Sequence, residues 1–148
     1  MIKTTLKVMP LIMLSLILPV FVSCRPEPVS PQEGRILILE PSADSTVSSP
    51  NITVRTYVEF FNLVDKTGQA NVPGEGHIIF YLDVTPPLKK GESALTAEGT
   101  YFITKDNVHV WEKVPAGAHT FTVQLVNNDN TPLEPAAAVR APVTLALK

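Results

Sequence analysis

The sequence predicts an all-β domain, an antiparallel Ig-like or fibronectin-type β-sandwich of about seven strands. Three observations carry this reading. Apolar residues recur at every second position in several runs after residue 51, which is the spacing of a strand with one buried face. Those runs are short and are divided by clusters of Pro, Gly, Asn and Asp, with 14 prolines in 148 residues, as turns between strands require. From Arg35 onward no stretch has the three-to-four spacing of an amphipathic helix.

Taken in order, Arg35–Glu40 (RILILE) is the first strand, stopped by Pro41, which has no N–H for a ladder. Residues 41–50 form a Ser-rich turn. Residues 51–61 alternate, with Ile52, Val54, Val58 and Phe60 on one side and Arg55 and Glu59 on the other. Residues 77–84 alternate too. Ile78, Phe80, Leu82 and Val84 face one way; His77, Ile79, Tyr81 and Asp83 face the other. Residues 100–104 and 108–114 are expected to pair across Lys105, Asp106 and Asn107. Residues 118–126 turn Phe121, Val123 and Leu125 inward and Thr120, Thr122 and Gln124 outward. Residues 139–147 close the domain, and Pro142 within them marks an edge strand or bulge. Trp111 and Phe121 are expected core anchors. The longer linkers, 62–76 and 85–99, read as crossovers between sheets, the second polar and flexible.

Ahead of the domain lies an export signal. Lys3 and Lys7 give a positive start, and residues 8–22 are an apolar run of 15 interrupted by Pro10, Ser15 and Pro19. A spanning helix needs about 20 apolar residues, so this run suits a cleaved signal peptide. It ends in Phe21-Val22-Ser23-Cys24, which resembles a lipobox, with Phe21 where Leu is usual. The expected organisation is a signal peptide over 1–23, a lipidated Cys24 with a Pro-rich tether over 24–34, and the sandwich over 35–148. Pro26, Pro28 and Pro31 favour an extended tether at about 3.1 Å per residue. The membrane is then the first partner, reached through acylated Cys24. The domain is expected outside the cytoplasm, held to the cell membrane or the outer membrane.

Charge and composition exclude several classes. Lys3 and Lys7 are lost with the leader, so 10 basic residues face 14 acidic ones in the mature chain, a net charge of −4. No nucleic-acid partner is expected of such a surface. A single cysteine excludes a disulfide framework or a multi-thiolate metal site. The only methionines are Met1, Met9 and Met13, all in the leader. No Gly-x-Ser-x-Gly, His-Glu-x-x-His or phosphate-cradling glycine loop is present. The chain is therefore read as a non-enzyme without a cofactor.

Two motifs carry a resemblance. Gly74-Glu-Gly-His77-Ile-Ile-Phe-Tyr-Leu-Asp83, followed by Pro115-Ala-Gly-Ala-His119-Thr and then Asn127-Asn-Asp129-Asn130-Thr-Pro132, resembles the DUF4399-like family of secreted prokaryotic domains, over roughly 36–147. The family pattern has Gly-x-Gly-His-x-His and Asn-Asp-His. Ile79 and Asn130 stand where it has its second and third of these histidines. The resemblance implies a fold and an envelope location, and no reaction.

The remaining candidates follow from strand geometry. Residues 77 and 79 share a strand face, so His at both would start a Zn or Cu site. Ile79 removes that pair. A weak metal site using His77 with His119 or Asp129 stays as the alternative function. The plainer expectation is that His119 packs at the core edge, His109 follows Trp111 in a structural role, His77 caps a turn, Asp83 caps a strand end and Asp129 forms an Asx turn. Ile79 and Tyr81 are apolar opposite the main core row. Left exposed, they form an interaction patch for a protein or glycan partner. The expected function is a membrane-anchored lipoprotein carrying an Ig-like binding or structural module at the cell envelope.

Overall fold

A computed structural model describes residues 33–146. The signal peptide, Cys24 and residues 25–32 of the tether lie outside the described residues, as do residues 147 and 148. The described chain is all-β. Its strands are β1 (Arg35–Glu40), β2 (Ser45–Val47), β3 (Ile52–Glu59), β4 (Asn62–Leu63), β5 (Glu75–Leu82), β6 (Tyr101–Thr104), β7 (Val108–Trp111), β8 (Gly117–Val126) and β9 (Pro132–Leu145).

They form two sheets. The smaller has the order β1-β3-β7 and is antiparallel throughout. The larger runs β2-β9-β8-β5-β4, with β6 also paired to β5. The core lies between them. Ile36, Ile52 and Val54 come from the small sheet; Ile78, Phe80, Phe121, Val123, Leu125, Val143 and Leu145 come from the large one. Strand alternation explains both sets, since each is one parity of its strand. Phe121 is an anchor as expected, and Trp111 packs half-buried against the same cluster.

Several expectations are corrected. The Ser-rich turn contains β2, which pairs in parallel with the end of β9. The closing strand begins at Pro132, earlier than residue 139. β6 and β7 do not pair with each other. β6 adds to β5 through Ile79↔Ile103 and Phe80↔Phe102, while β7 adds to β3 through Val54↔His109 and Ile52↔Trp111. Residues 105–107 therefore carry the chain from one sheet to the other. Each strand gains a long apolar neighbour by this choice, which a four-residue hairpin would not supply.

Two left-handed residues reset the alternation at strand ends. Phe60 has φ 56°; it turns outward, half exposed, and Phe61 packs on the core in its place. Asp83 has φ 57°, so Val84 joins a second cluster on the far side of the large sheet. That cluster overturns the expected interaction patch. Ile79 and Tyr81 are fully buried, with Ala94 and Val126, and Leu95, Tyr101 and Ile103 pack around them. The segment 84–99 is no plain crossover, because it lies over this face as a cover. Thr122 and Gln124, expected outward, are buried beneath it.

The lack of a side chain at Gly76 lets β5 pass close to the end of β8. A Cβ there would come within 2.0 Å of the Val126 carbonyl oxygen and 3.0 Å of the Phe61 ring. Gly76→Ala is expected to destabilise the domain by about 3 kcal/mol, read as a lower urea midpoint with unchanged slope.

Candidate functional site

Three places combine polar chemistry or exposed apolar surface with a fixed geometry. The first is under the cover segment. Burial brings a phenol and an amide into an apolar cluster, and each must find partners there. The Tyr81 hydroxyl shares its proton between the Ala94 carbonyl oxygen (2.8 Å) and Gln124 Oε1 (2.9 Å). Gln124 Nε2 donates to the Pro87 carbonyl oxygen (3.0 Å). Burial pushes the Tyr81 phenol well above its ordinary range, with Tyr101 adding to the shift, so it stays a donor. The arrangement is structural: it ties segment 84–99 to the sheet at two points.

The second is the corner where β5 begins. His77 is buried, and its Nε2–H donates to Asn130 Oδ1 (2.9 Å). Its Nδ1 is buried without a partner. Asn130 is thus the polar partner of this buried histidine, and Ile79 shares its strand face two residues away. Beside them Lys66 Nζ donates to Glu75 Oε1 (2.7 Å), and Asn128 Nδ2 donates to the same oxygen (3.1 Å) and to the Ala70 carbonyl (3.1 Å). These bonds hold the Glu75 carboxyl below its ordinary value, Lys66 contributing most, and they pin the 62–76 linker.

The expected pairing of His77 with His119 does not form. His77 pairs with Val126 at one end of β8, and His119 pairs with Val143 near the other. Seven residues of strand separate those positions, about 23 Å. His119 instead lies with Nδ1 2.7 Å from Asp83 Oδ2, and its Nε2–H donates to the Pro115 carbonyl (2.9 Å). Asp83 Oδ1 also accepts the Thr120 N–H (2.8 Å). Asp129 lies near enough to favour a charged His77. Its Oδ1 is taken up by the Thr131 N–H (3.0 Å) and hydroxyl (2.6 Å), the expected Asx turn. Among the described residues no three His, Cys, Asp or Glu side chains gather as metal ligands. His109 stacks on Phe102 at 4.0 Å and meets Trp111 edge-on at 4.8 Å, bridging the edges of the two sheets.

The third place was not foreseen. On the outer face of the small sheet, Leu37, Leu39, Tyr57, Val108 and Val110 are each about two-fifths to one-half exposed. Leu37 faces Tyr57 across the β1–β3 ladder, and Leu39 sits at a bulge. Val108 and Val110 continue the strip on β7, opposite Arg55 and Thr53. Its charges are neutralised locally by Arg35–Glu59 (3.8 Å) and Arg55–Glu40 (3.5 Å). Leu37 and Leu39 in RILILE, and Val108 and Val110 in VHVW, were signals in the sequence: both strands are apolar on both parities.

No family model matches the chain, and no curated protein matches it. Among solved structures, an engineered protein is similar at 15% identity and a TM-score of 0.44, over 80% of this chain and 21% of that one. A modular endo-β-1,4-mannanase from Cellulomonas fimi is similar at 16% identity and a TM-score of 0.40, over 79% of this chain and 19% of that one. The chain spans about a fifth of the length of each.

Two outcomes test these sites. Tyr81→Phe leaves the Ala94 carbonyl and Gln124 Oε1 without their donor, and is expected to cost about 1–3 kcal/mol in denaturant unfolding. His77 and His109 are both held below the ordinary imidazole value of 6.5, chiefly by burial. For His77 this outweighs the bond to Asn130 and the charges of Asp65 and Asp129. The native rings stay neutral while the unfolded ones take up protons, so their contribution is complete above pH 6.5 and declines as pH falls below it. The urea midpoint should drop as pH falls below about 6.5, with a shallower drop in His77→Gln.

Proposed function

We propose that the chain is a membrane-anchored lipoprotein whose β-sandwich is a non-enzymatic binding module of the cell envelope, with a DUF4399-like ancestry. The reading rests on the lipobox-like Phe21-Val22-Ser23-Cys24 behind an apolar leader, and above all on the apolar strip over β1, β3 and β7. Its partner is a protein with an apolar surface. The strip has a single aromatic, Tyr57, and its charged side chains are already paired with each other. A glycan would call for stacked rings and free polar donors, whereas an uncharged apolar protein surface needs neither. Tethered at Cys24 through the proline-rich residues that follow it, the module would present this face to its neighbours at the membrane.

The experiment has two arms, both with the full chain in its own envelope. Cys24→Ser should move the protein from the membrane pellet to the soluble fraction; retention in the pellet would refute the anchor. A photo-crosslinking residue at Tyr57 should give a discrete protein adduct that Leu37→Asp abolishes. A crosslinker at Thr144, exposed elsewhere on the domain, should give none. Equal adducts at both positions, or no protein adduct at Tyr57, would refute the binding face.

A further inference from the structure

The opposite side of the sandwich has a separate feature. A cleft of about 440 Å³ opens on the outer face of the large sheet, between the start of the cover segment and strands β8 and β9. That size lies within the range of small-molecule sites, about 300–1,000 Å³. Its floor includes Thr120, Thr122 and Arg140, its wall includes Pro86 and Leu88, and Asp83 stands at one end. The wall is fixed from below, since buried Gln124 donates to the Pro87 carbonyl (3.0 Å). The cleft is therefore formed before any ligand arrives.

Its chemistry is polarised. Arg140 is opposite Thr122 in the β8–β9 ladder and is exposed. Among the described residues it has no ion-pair partner, although five other Lys or Arg side chains do. A guanidinium in a groove suits a carboxylate, which it can hold with two parallel bonds. Asp83 lies on the other side of β8, its N–H donating to the Thr120 carbonyl (2.9 Å). Its carboxylate is oriented by His119 and the Thr120 N–H, and remains about half exposed. Two strand spacings across and two residues along separate the α-carbons of Asp83 and Arg140 by about 12 Å. Between the charges lie the apolar wall, with Leu88 half exposed, and the Thr122 hydroxyl on the floor.

We infer that this cleft binds a short apolar peptide of about dipeptide size, with its carboxylate on Arg140, its ammonium toward Asp83 and an apolar side chain against Leu88 and Pro86. Such a ligand is complementary in charge order and in the apolar middle. It fits the volume, and it needs no movement of the sheet. This site lies on the other sheet from the apolar strip and does not depend on it.

The test uses the isotope-labelled full chain in detergent, titrated with L-alanyl-L-leucine and followed in amide spectra at Thr85, Thr122 and Arg140. Saturable shifts confined to the cleft are expected. L-alanyl-L-leucine amide, lacking the carboxylate, and Arg140→Ala should each weaken binding at least about tenfold. Arg140→Lys should recover part of the loss, because it keeps the charge without the fork. The N-acetylated dipeptide, lacking the ammonium, should also bind more weakly. Equal binding of acid and amide, unchanged binding in Arg140→Ala, or no saturable shift up to about 10 mM would overturn the inference.

Discussion

Strand β5 is apolar on both faces, and most of the domain answers that one fact. Ile78 and Phe80 fill the space between the sheets, while Ile79 and Tyr81 point the other way. A sheet with one face in water would leave those two side chains wet. The chain instead lays residues 84–99 over them. The cover can hold because polar groups beneath it are paired: one phenol and one amide reach three acceptors in its neighbourhood. A second layer of apolar contact and a small hydrogen-bond network thus replace the helix that often shields such a strand.

The two outer faces of the sandwich consequently differ. Over the large sheet, the cover leaves a bounded groove with charged ends. Over the small sheet nothing in the described chain covers the apolar strip, and its ion pairs are solvent-exposed and of little energetic weight. One side offers selectivity through fixed polar groups, the other apolar area. The same short-stranded framework supports both because β1 and β7 are edges, each apolar on both parities, whereas β8 carries the polar Thr120, Thr122 and Gln124 on its outer parity.

Much of this was legible from period two. The parities of residues 52–58, 77–82 and 121–125 define the core directly, and Arg35–Glu40 is bounded as the sequence implies. The misses have local physical causes. Phe60 and Asp83 adopt left-handed backbone, which a non-glycine residue does not advertise, and each shifts the following residue to the other face. β2 is three residues long and gains its pairing from a partner near the far end of the chain. Neighbouring strands 101–104 and 108–111 look like a hairpin locally, yet each finds a better partner in a different sheet. For the histidines, spacing along the chain gave no distance between His77 and His119. Only the register of β5 on β8 separates them.

The parallel pairing of Ser45–Val47 with residues 143–145 also sets an order of events. Nearly the whole length of the domain intervenes between these partners, so a large loop must close before they meet. A chain delivered from its N-terminus has its first strands in hand long before their last neighbour arrives. Until residues 143–145 are in place, β2 has no ladder, although β8 already pairs with the earlier part of β9. The sheet is finished by the last residues of its last strand, so one of the first segments of the domain is among the last to gain its partner.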